Sequence, residues 1–189
     1  MNISVFCGAS TPRNQNYIDA AQCLGELLAR RGHTLLYGGS NLGLMGAVSR
    51  AAYNNGGTVV GVIPTFFSEE IIRSQPVSQL VRVTSMSQRK DYLLSHSDAF
   101  IALPGGIGTL DEILETMVAN QLNLHHKPVG LLNTNNFYRP FMTELRHLEQ
   151  EGFYNLATAR YLFLEEQPSR LLQQISDYRP SATAQYQGA

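Results

Sequence analysis

The sequence predicts the α/β fold class, with a doubly wound parallel sheet and helices on both of its faces. Short apolar segments alternate from the first residues with longer segments of helical periodicity, and this alternation is typical of a parallel sheet covered by helices. Glycine-rich turns follow two of the predicted strands. A chain of 189 residues, 43% of them hydrophobic, is long enough for one domain with a substantial core.

The first part of the predicted fold runs from a strand at the N-terminus to a third strand after the second helix. Its strands are short apolar runs, and its helices place apolar residues three and four positions apart. Gly32 follows the first helix and Gly56-Gly57 follow the second, where glycine commonly ends a helix. The elements are, in order, a strand over 3–7, a helix over 17–31, a strand over 33–37, a helix over 44–54 and a strand over 58–63.

The second part continues the same alternation. The apolar run at 99–103 predicts a fully buried strand, and the apolar residues from Leu110 to Val118 recur at helical spacing after it. The last residues, 179–189, are polar and lack periodicity, so we expect a domain over 1–178 and a flexible C-terminal tail. The elements are strands over 80–84, 99–103, 129–133 and 161–164, and helices over 87–96, 110–122, 138–150 and 168–178.

Composition limits the classes of function. With 14 Lys and Arg against 15 Asp and Glu, the net charge is −1, so there is no basic excess for binding nucleic acid. Cys7 and Cys23 are too few for a disulfide framework. The N-terminus shows neither a signal-peptide pattern nor a long apolar run. We therefore expect a reduced, cytoplasmic protein with no nucleic-acid or membrane partner.

An adjacent pair of histidines, His125-His126, does not predict a metal site. Neighbouring side chains on a turn point apart, and the sequence offers no third ligand at a suitable spacing. No Ser–His–Asp or Cys–His arrangement is indicated either. We expect neither a metal nor a cofactor.

The most informative stretch is the turn LPGGIGTLDE at residues 103–112. Its glycines lie between a predicted strand and a predicted helix, where unpaired backbone N–H groups and the positive end of the helix dipole favour a phosphate. Thr109 and Glu112 also match a capping box, which would merely start the helix. Capping does not require three glycines, and both roles stay open at this point. The predicted phosphate-binding residues are Gly105, Gly106, Ile107, Gly108 and Thr109.

A second glycine-rich turn, YGGSNLGLMG, occupies residues 37–46. Gly38 and Gly43 have the spacing of a P-loop, but Leu44 and Met45 stand where that motif needs Lys and Ser or Thr. Nucleoside triphosphate hydrolysis is therefore disfavoured. The glycines of this turn also lack the spacing of the dinucleotide-binding fingerprint.

The glycine-rich turns are predicted to meet in one crevice. The carboxyl ends of parallel strands lie at the same edge of a sheet, and ligands bind outside that edge. The turns at 8–10, 38–46 and 104–109 all leave that edge in the predicted fold. Arg89-Lys90 begins the helix before the strand at 99–103 and would add positive charge there.

Motifs spread over residues 3–153 together resemble the LONELY GUY (LOG) family of cytokinin riboside 5′-monophosphate phosphoribohydrolases, formerly labelled lysine decarboxylases. They are CGAS at 7–10, YGG at 37–39, GLMG at 43–46, MSQRK at 86–90 and PGGIGTLDE at 104–112.

The resemblance implies a Rossmann-like sheet, a homodimer and a hydrolase that releases the base of a nucleoside 5′-monophosphate, such as an N6-substituted AMP. It implies that Arg89 and Glu112 are catalytic, as the arginine of the R-K pair and the last glutamate of PGGxGTxxE. The other residues assigned to substrate binding are Gly8, Ala9, Ser10, Gly38, Gly39, Gly43, Met86 and Lys90.

A mechanism follows as a hypothesis. Cleavage of an N-glycosidic bond builds positive charge on the ribose, so a carboxylate beside C1′ would stabilise that charge and help a water attack. Glu112 is the candidate. Arg89 either orients Glu112 and keeps it ionised, because a neighbouring cation lowers a carboxyl pKa, or contacts the phosphate.

The alternative function is a non-catalytic nucleotide or molybdenum-cofactor carrier, because the PGGxGTxxE turn also looks like that of molybdenum-cofactor carrier proteins. A carrier has no need of an arginine paired with Glu112. Lysine decarboxylation is not favoured, because the sequence shows no recognisable pyridoxal-phosphate context. A purely structural protein would leave the two glycine-rich turns unexplained.

Overall fold

Apolar strands that alternate with helices build one parallel sheet, in a computed structural model that describes residues 1–67 and 77–180. Every neighbouring pair of strands in that sheet is parallel. The strands are β1 (Asn2–Phe6), β2 (Thr34–Tyr37), β3 (Val59–Pro64), β4 (Gln79–Val83), β5 (Ala99–Ala102), β6 (Val129–Leu132) and β7 (Leu162–Glu165).

The helices cover both faces of the sheet, which confirms the predicted doubly wound arrangement. They are α1 (Gln15–Arg30), α2 (Gly43–Asn54), α3 (Met86–His96), α4 (Ile107–Gln121), α5 (Arg139–Gln150) and α6 (Pro168–Asp177), with short 3₁₀ turns at Thr134–Asn136 and Leu156–Thr158. None of these helices is long and apolar enough to cross a bilayer.

The order of the strands is β4-β3-β2-β1-β5-β6-β7. From the central β1, the chain adds β2, β3 and β4 on one side, and then returns past β1 to add β5, β6 and β7 on the other. The winding direction therefore reverses between β1 and β5. In an open parallel sheet, such a reversal leaves a crevice outside the carboxyl ends of the two strands.

Two apolar layers hold the helices to the sheet. In β1, Ile3 and Val5 pack with α1, α2 and α6 on one face, while Phe6 packs with α3, α4 and α5 on the other. Strands buried on both faces in this way are typical of parallel sheets. The layers fix where each helix begins, and therefore which side chains reach the crevice.

The predicted elements are all present, with bounds shifted by no more than a few residues. Gly32 and Gly56 follow their helices with φ of +68° and +77°, as expected of glycine after a helix. The largest shift is at α4, which begins at Ile107 rather than at residue 110. The predicted tail lies, from residue 181 onward, outside the described residues.

Candidate functional site

A cavity of about 490 Å³ lies at the crevice where the winding reverses. Its walls come from the loop after β1, the turn after β5 and the first residues of α2, α3 and α4. The sequence-predicted residues that line it are Gly8, Ala9, Ser10, Met86, Arg89, Gly105, Gly106, Gly108, Thr109 and Glu112.

The turn after β5 leads directly into α4, without a side-chain cap. Gly106 is the N-cap residue, and Thr109 is already the third residue of the helix. The capping-box interpretation of Thr109 and Glu112 is therefore wrong. The first amides of a helix, here those of Ile107 and Gly108, have no acceptor within the helix. They and the helix dipole form a site suited to an anion such as phosphate.

Gly105 joins the turn after β5 to the loop after β1. A β-carbon at Gly105 would lie 2.8 Å from the amide nitrogen of Gly8 and would overlap the side chain of Thr109. The N–H of Gly8 donates to the carbonyl of Pro104 at 3.2 Å. This close approach holds the two loops together and leaves room only for glycine.

Arg89 and Glu112 form a buried ion pair at one wall of the cavity. Arg89 Nη2 donates to Glu112 Oε1 at 3.1 Å, and each residue is only 7% exposed. The pair joins the first turn of α3 to the second turn of α4. Gly38 makes room for it, because a β-carbon at Gly38 would overlap the Arg89 guanidinium. Among the described residues, none accepts a hydrogen bond from the buried Nε of Arg89.

The ionisation of Glu112 differs from the sequence expectation. Burial raises the pKa of its carboxyl from an ordinary value of 4.5 to about 7, and the neighbouring Arg89 only partly offsets that rise. Arg89 acts in the expected direction, but desolvation is the larger effect. Near neutral pH, Glu112 is therefore present in both protonation states. Such a group can both accept and donate a proton at that pH.

Lys90 points away from this pair and pairs with other carboxylates. Its Nζ lies 3.1 Å from Asp111 Oδ2 and 3.2 Å from Glu115 Oε2, and these bonds raise the pKa of Lys90. Lys90 does not line the cavity. It connects α3 to α4 on the outer side of the Arg89–Glu112 pair.

Four other sequence-predicted residues also lie outside the cavity wall: Gly38, Gly39, Gly43 and Ile107. Gly43 has a φ of +52°, and a β-carbon there would lie 2.7 Å from backbone atoms of Ala9. It therefore packs beneath the loop after β1 and supports it. Ile107 is 82% exposed, so its side chain is open to solvent and does not contribute to the cavity wall.

Sequence reasoning missed a largely apolar part of the cavity. Tyr17 and Phe137 meet there edge to face, with ring centroids 5.9 Å apart. These two residues are far apart in the sequence, and no local pattern marks them as neighbours. Thr11 and Pro12 could have been found, because they continue the loop after β1. Leu44, Met45 and Pro104 belong to turns that were predicted to lie at the crevice, but they were not named as candidates. The lining residues outside those turns that were not named are Cys7, Thr11, Pro12, Tyr17, Asp111 and Phe137.

The described residues also bear on metal binding and on pyridoxal-phosphate chemistry. In residues 1–67 and 77–180, no group of three or more His, Cys, Asp or Glu residues is placed to hold a metal ion. The lysines of the sequence are Lys90 and Lys127. Lys90 is ion-paired, and Lys127 donates to the carbonyl of Leu94 at 2.7 Å. Neither lines the cavity, so this site offers no lysine to hold pyridoxal phosphate.

Comparisons with known proteins agree with this geometry. The family model described as "possible lysine decarboxylase" matches residues 45–175. The chain is 44% identical to the probable cytokinin riboside 5′-monophosphate phosphoribohydrolase LOGL3 of Oryza sativa subsp. japonica, over 93% of this chain and 83% of that protein. It is 42% identical to the cytokinin riboside 5′-monophosphate phosphoribohydrolase LOG1 of Arabidopsis thaliana, over 94% of this chain and 84% of that protein.

A solved structure is similar in fold. The molybdenum cofactor binding protein from Rippkaea orientalis superposes with a TM-score of 0.69 and 26% identity, covering 93% of this chain and 94% of that one. The sequence relatives are considerably more similar in sequence and share nearly the whole of this chain. With four of the five expected motifs contributing to the cavity wall, the chain belongs to the LONELY GUY family of cytokinin riboside 5′-monophosphate phosphoribohydrolases.

Proposed function

We propose that this chain hydrolyses the N-glycosidic bond of adenosine 5′-monophosphates, including N6-substituted ones, to release the free base and ribose 5-phosphate. The observation that carries the proposal is the buried pair of Arg89 and Glu112, which lies in the same cavity as an anion site at the start of α4. Relatives of this chain are named for the same reaction class.

The 5′-phosphate would bind at the start of α4. The amides of Ile107 and Gly108 and the hydroxyl of Thr109 supply donors there, and the helix dipole adds favourable potential. Binding at this point would hold the ribose within the cavity, next to the carboxyl of Glu112 in the second turn of the same helix. Fixing the reactant in this way contributes through positioning.

Glu112 would act on C1′ and on the attacking water. The bond between C1′ and the base nitrogen breaks with its electron pair leaving on the base, and the resulting positive charge on the ribose is stabilised by the carboxylate. The oxygen of a water bonds to C1′ while Glu112 accepts a proton from it. That proton ends on the departing base, so the net reaction adds one water. A carboxyl pKa of about 7 suits both the acceptance and the return of the proton.

Arg89 would have two contacts in this reaction. Its Nη2 already orients Glu112. Its buried Nε lacks an acceptor among the described residues, and an oxygen of the substrate would supply one. The two roles considered for Arg89, orienting the carboxylate and contacting the phosphate, are compatible within one side chain if that oxygen belongs to the phosphate.

The second candidate is a carrier that binds a nucleotide or a molybdenum cofactor without turnover. It is favoured by the likeness in fold to the molybdenum cofactor binding protein from Rippkaea orientalis. The buried charge pair counts against it, because burying two charges is costly and binding alone gives no use for a carboxyl with a pKa of about 7.

The test of the function is a product analysis. Purified protein is incubated with AMP and with isopentenyladenosine monophosphate, and free base and ribose 5-phosphate are followed by chromatography. The proposal expects both products in equal amounts from at least one of the substrates. Binding of both nucleotides without release of a base would contradict it and favour the carrier.

We also propose that the protein is a homodimer, joined through the outer face of α4. Leu114, Val118 and Leu122 form an exposed apolar stripe four residues apart, each between 44% and 50% exposed. A symmetric interface between two copies needs one self-complementary surface, and this stripe supplies it. The family resemblance also implies that the partner is a second copy of this chain.

Light scattering after size-exclusion chromatography tests the dimer. The wild-type protein is expected to have twice the chain mass of 20.9 kDa. Val118→Asp should lower the measured mass to that of one chain, because a charge would be buried in the interface. Tyr53→Asp, on α2 across the sheet from α4, is the matched control. A wild-type monomer, or a dimer that Val118→Asp leaves intact, would overturn the proposed interface.

Two less specific properties complete the proposal. We propose one domain over residues 1–178, since α6 and β7 belong to the same sheet assembly as β1. We propose a reducing, cytoplasmic setting, supported by the free and exposed thiol of Cys23.

A further inference from the structure

We propose that Tyr138 is a positioning residue, whose hydroxyl fixes the turn after β5 in the orientation that receives a phosphate. The identity of the ligand in this inference rests on the proposed function. Tyr138 lies in the turn between β6 and α5 and does not line the cavity, so it would act only through the backbone of the turn.

The hydroxyl of Tyr138 donates to the carbonyl of Leu103 at 2.7 Å. Leu103 is fully buried and immediately precedes the turn. The N–H of Leu103 donates to the carbonyl of Phe6 at 2.9 Å, and the carbonyl of Pro104 accepts from the N–H of Gly8 at 3.2 Å. The last peptide units before the glycines are thus held from both sides, and their orientation sets the direction of the amides that follow.

Tyr138 is itself held firmly. Its backbone N–H donates to Asn133 Oδ1 at 2.9 Å, and Asn133 donates its own N–H to the carbonyl of Glu165 at 2.8 Å. The Tyr138 ring contacts Phe137 and Phe141 edge to face. The hydroxyl is therefore presented to Leu103 from a rigid turn anchored to β7.

Removing the hydroxyl would leave the Leu103 carbonyl buried without this donor. A buried acceptor that has lost its donor costs free energy, so a rotation of the turn towards water or another donor would lower the free energy of the variant. Only the fraction of molecules with the original turn would bind phosphate well, and the apparent dissociation constant rises as that fraction falls. A fall to between a third and a tenth raises the dissociation constant roughly three- to tenfold.

The test is calorimetric binding of AMP to Tyr138→Phe, made in a Glu112→Gln background, which is expected to slow turnover roughly 10²–10⁴-fold. Phenylalanine keeps the ring and its contacts, and removes only the hydroxyl. The matched control is Tyr161→Phe in the same background. The Tyr161 hydroxyl donates to the carbonyl of Met117 at 3.3 Å, a bond of the same kind that is remote from the turn.

We expect Tyr138→Phe to weaken AMP binding about three- to tenfold, to leave the much weaker binding of adenosine unchanged, and to leave the pH midpoint of base release unchanged in the otherwise wild-type chain. Three outcomes would overturn the inference: unaltered AMP affinity, an equal loss in Tyr161→Phe, or an equal loss for adenosine. A chain that binds AMP but releases no base defeats the proposed function alone, since the Tyr138 effect is still measured by binding. A chain that binds neither AMP nor isopentenyladenosine monophosphate defeats both.

Discussion

Replacing Glu112 with glutamine should change how the stability of the protein depends on pH. Glutamine has nearly the same shape as glutamate but does not titrate. The carboxyl of Glu112 has a pKa of about 7 in the folded protein, against 4.5 for an unperturbed group. Between these values the folded state binds more protons than the unfolded state, so the wild-type free energy of unfolding falls as the pH rises.

The magnitude follows from the size of the shift. The pKa rises by about 2.5 units, and each unit corresponds to about 1.4 kcal/mol. The contribution of Glu112 is thus fully present below about pH 4.5 and lost above about pH 7, a change of about 3–4 kcal/mol across that window. The pH dependence from groups that do not interact with Glu112 is shared by the two proteins and cancels in their difference.

Urea unfolding at a series of pH values from 4 to 8.5 measures this difference. We expect the stability of the wild-type protein relative to Glu112→Gln to decline as the pH rises, and then to level off. Glu144→Gln removes an exposed carboxyl on α5 and is the matched control, because exposed charges contribute little to stability. A flat or rising difference for Glu112→Gln would refute the argument that burial dominates the ionisation of this carboxyl.

Two further substitutions test other parts of the site. Arg89→Met removes the cation that lowers the pKa of Glu112, so the pH profile of base release should move to higher pH. The rate at pH 7 should fall about 10²-fold or more. An unmoved profile would show that the ion pair is not formed. Gly105→Ala should lower the melting temperature and weaken AMP binding, because the added β-carbon would overlap Thr109. Gly108→Ala is the control and should keep the melting temperature, because a β-carbon there has no other atom within 4 Å. Equal melting temperatures for the two alanine variants would contradict the proposed packing of the turn.

The fold could be predicted well because its elements depend on local patterns. Strands buried on both faces are short apolar runs, and the helices carry apolar residues at their own period, so both kinds of element are visible without tertiary information. The start of α4 was the least accurate bound. Two glycines before Ile107 give no helical signal, yet Gly106 serves as the N-cap without any side-chain bond.

The site could be predicted only in part, since much of it depends on contacts between distant segments. The motifs at 86–90 and 104–112 placed Arg89 and Glu112 in one predicted crevice, but they could not show that burial outweighs the effect of the arginine on the carboxyl pKa. The pairing of Lys90 with Asp111 requires α3 and α4 to be side by side. The contact between Tyr17 and Phe137 likewise exists only once the sheet has formed.

The rate of base release from AMP by Glu112→Gln tests the central claim most directly. The account predicts a loss of roughly 10²–10⁴ relative to the wild-type protein, the usual scale for a positioned acid–base group, with AMP still bound and with Glu144→Gln as active as the wild type. If Glu112→Gln retained more than about a tenth of the wild-type rate, the loss would be well below that range. This result would remove Glu112 from the mechanism and contradict the account.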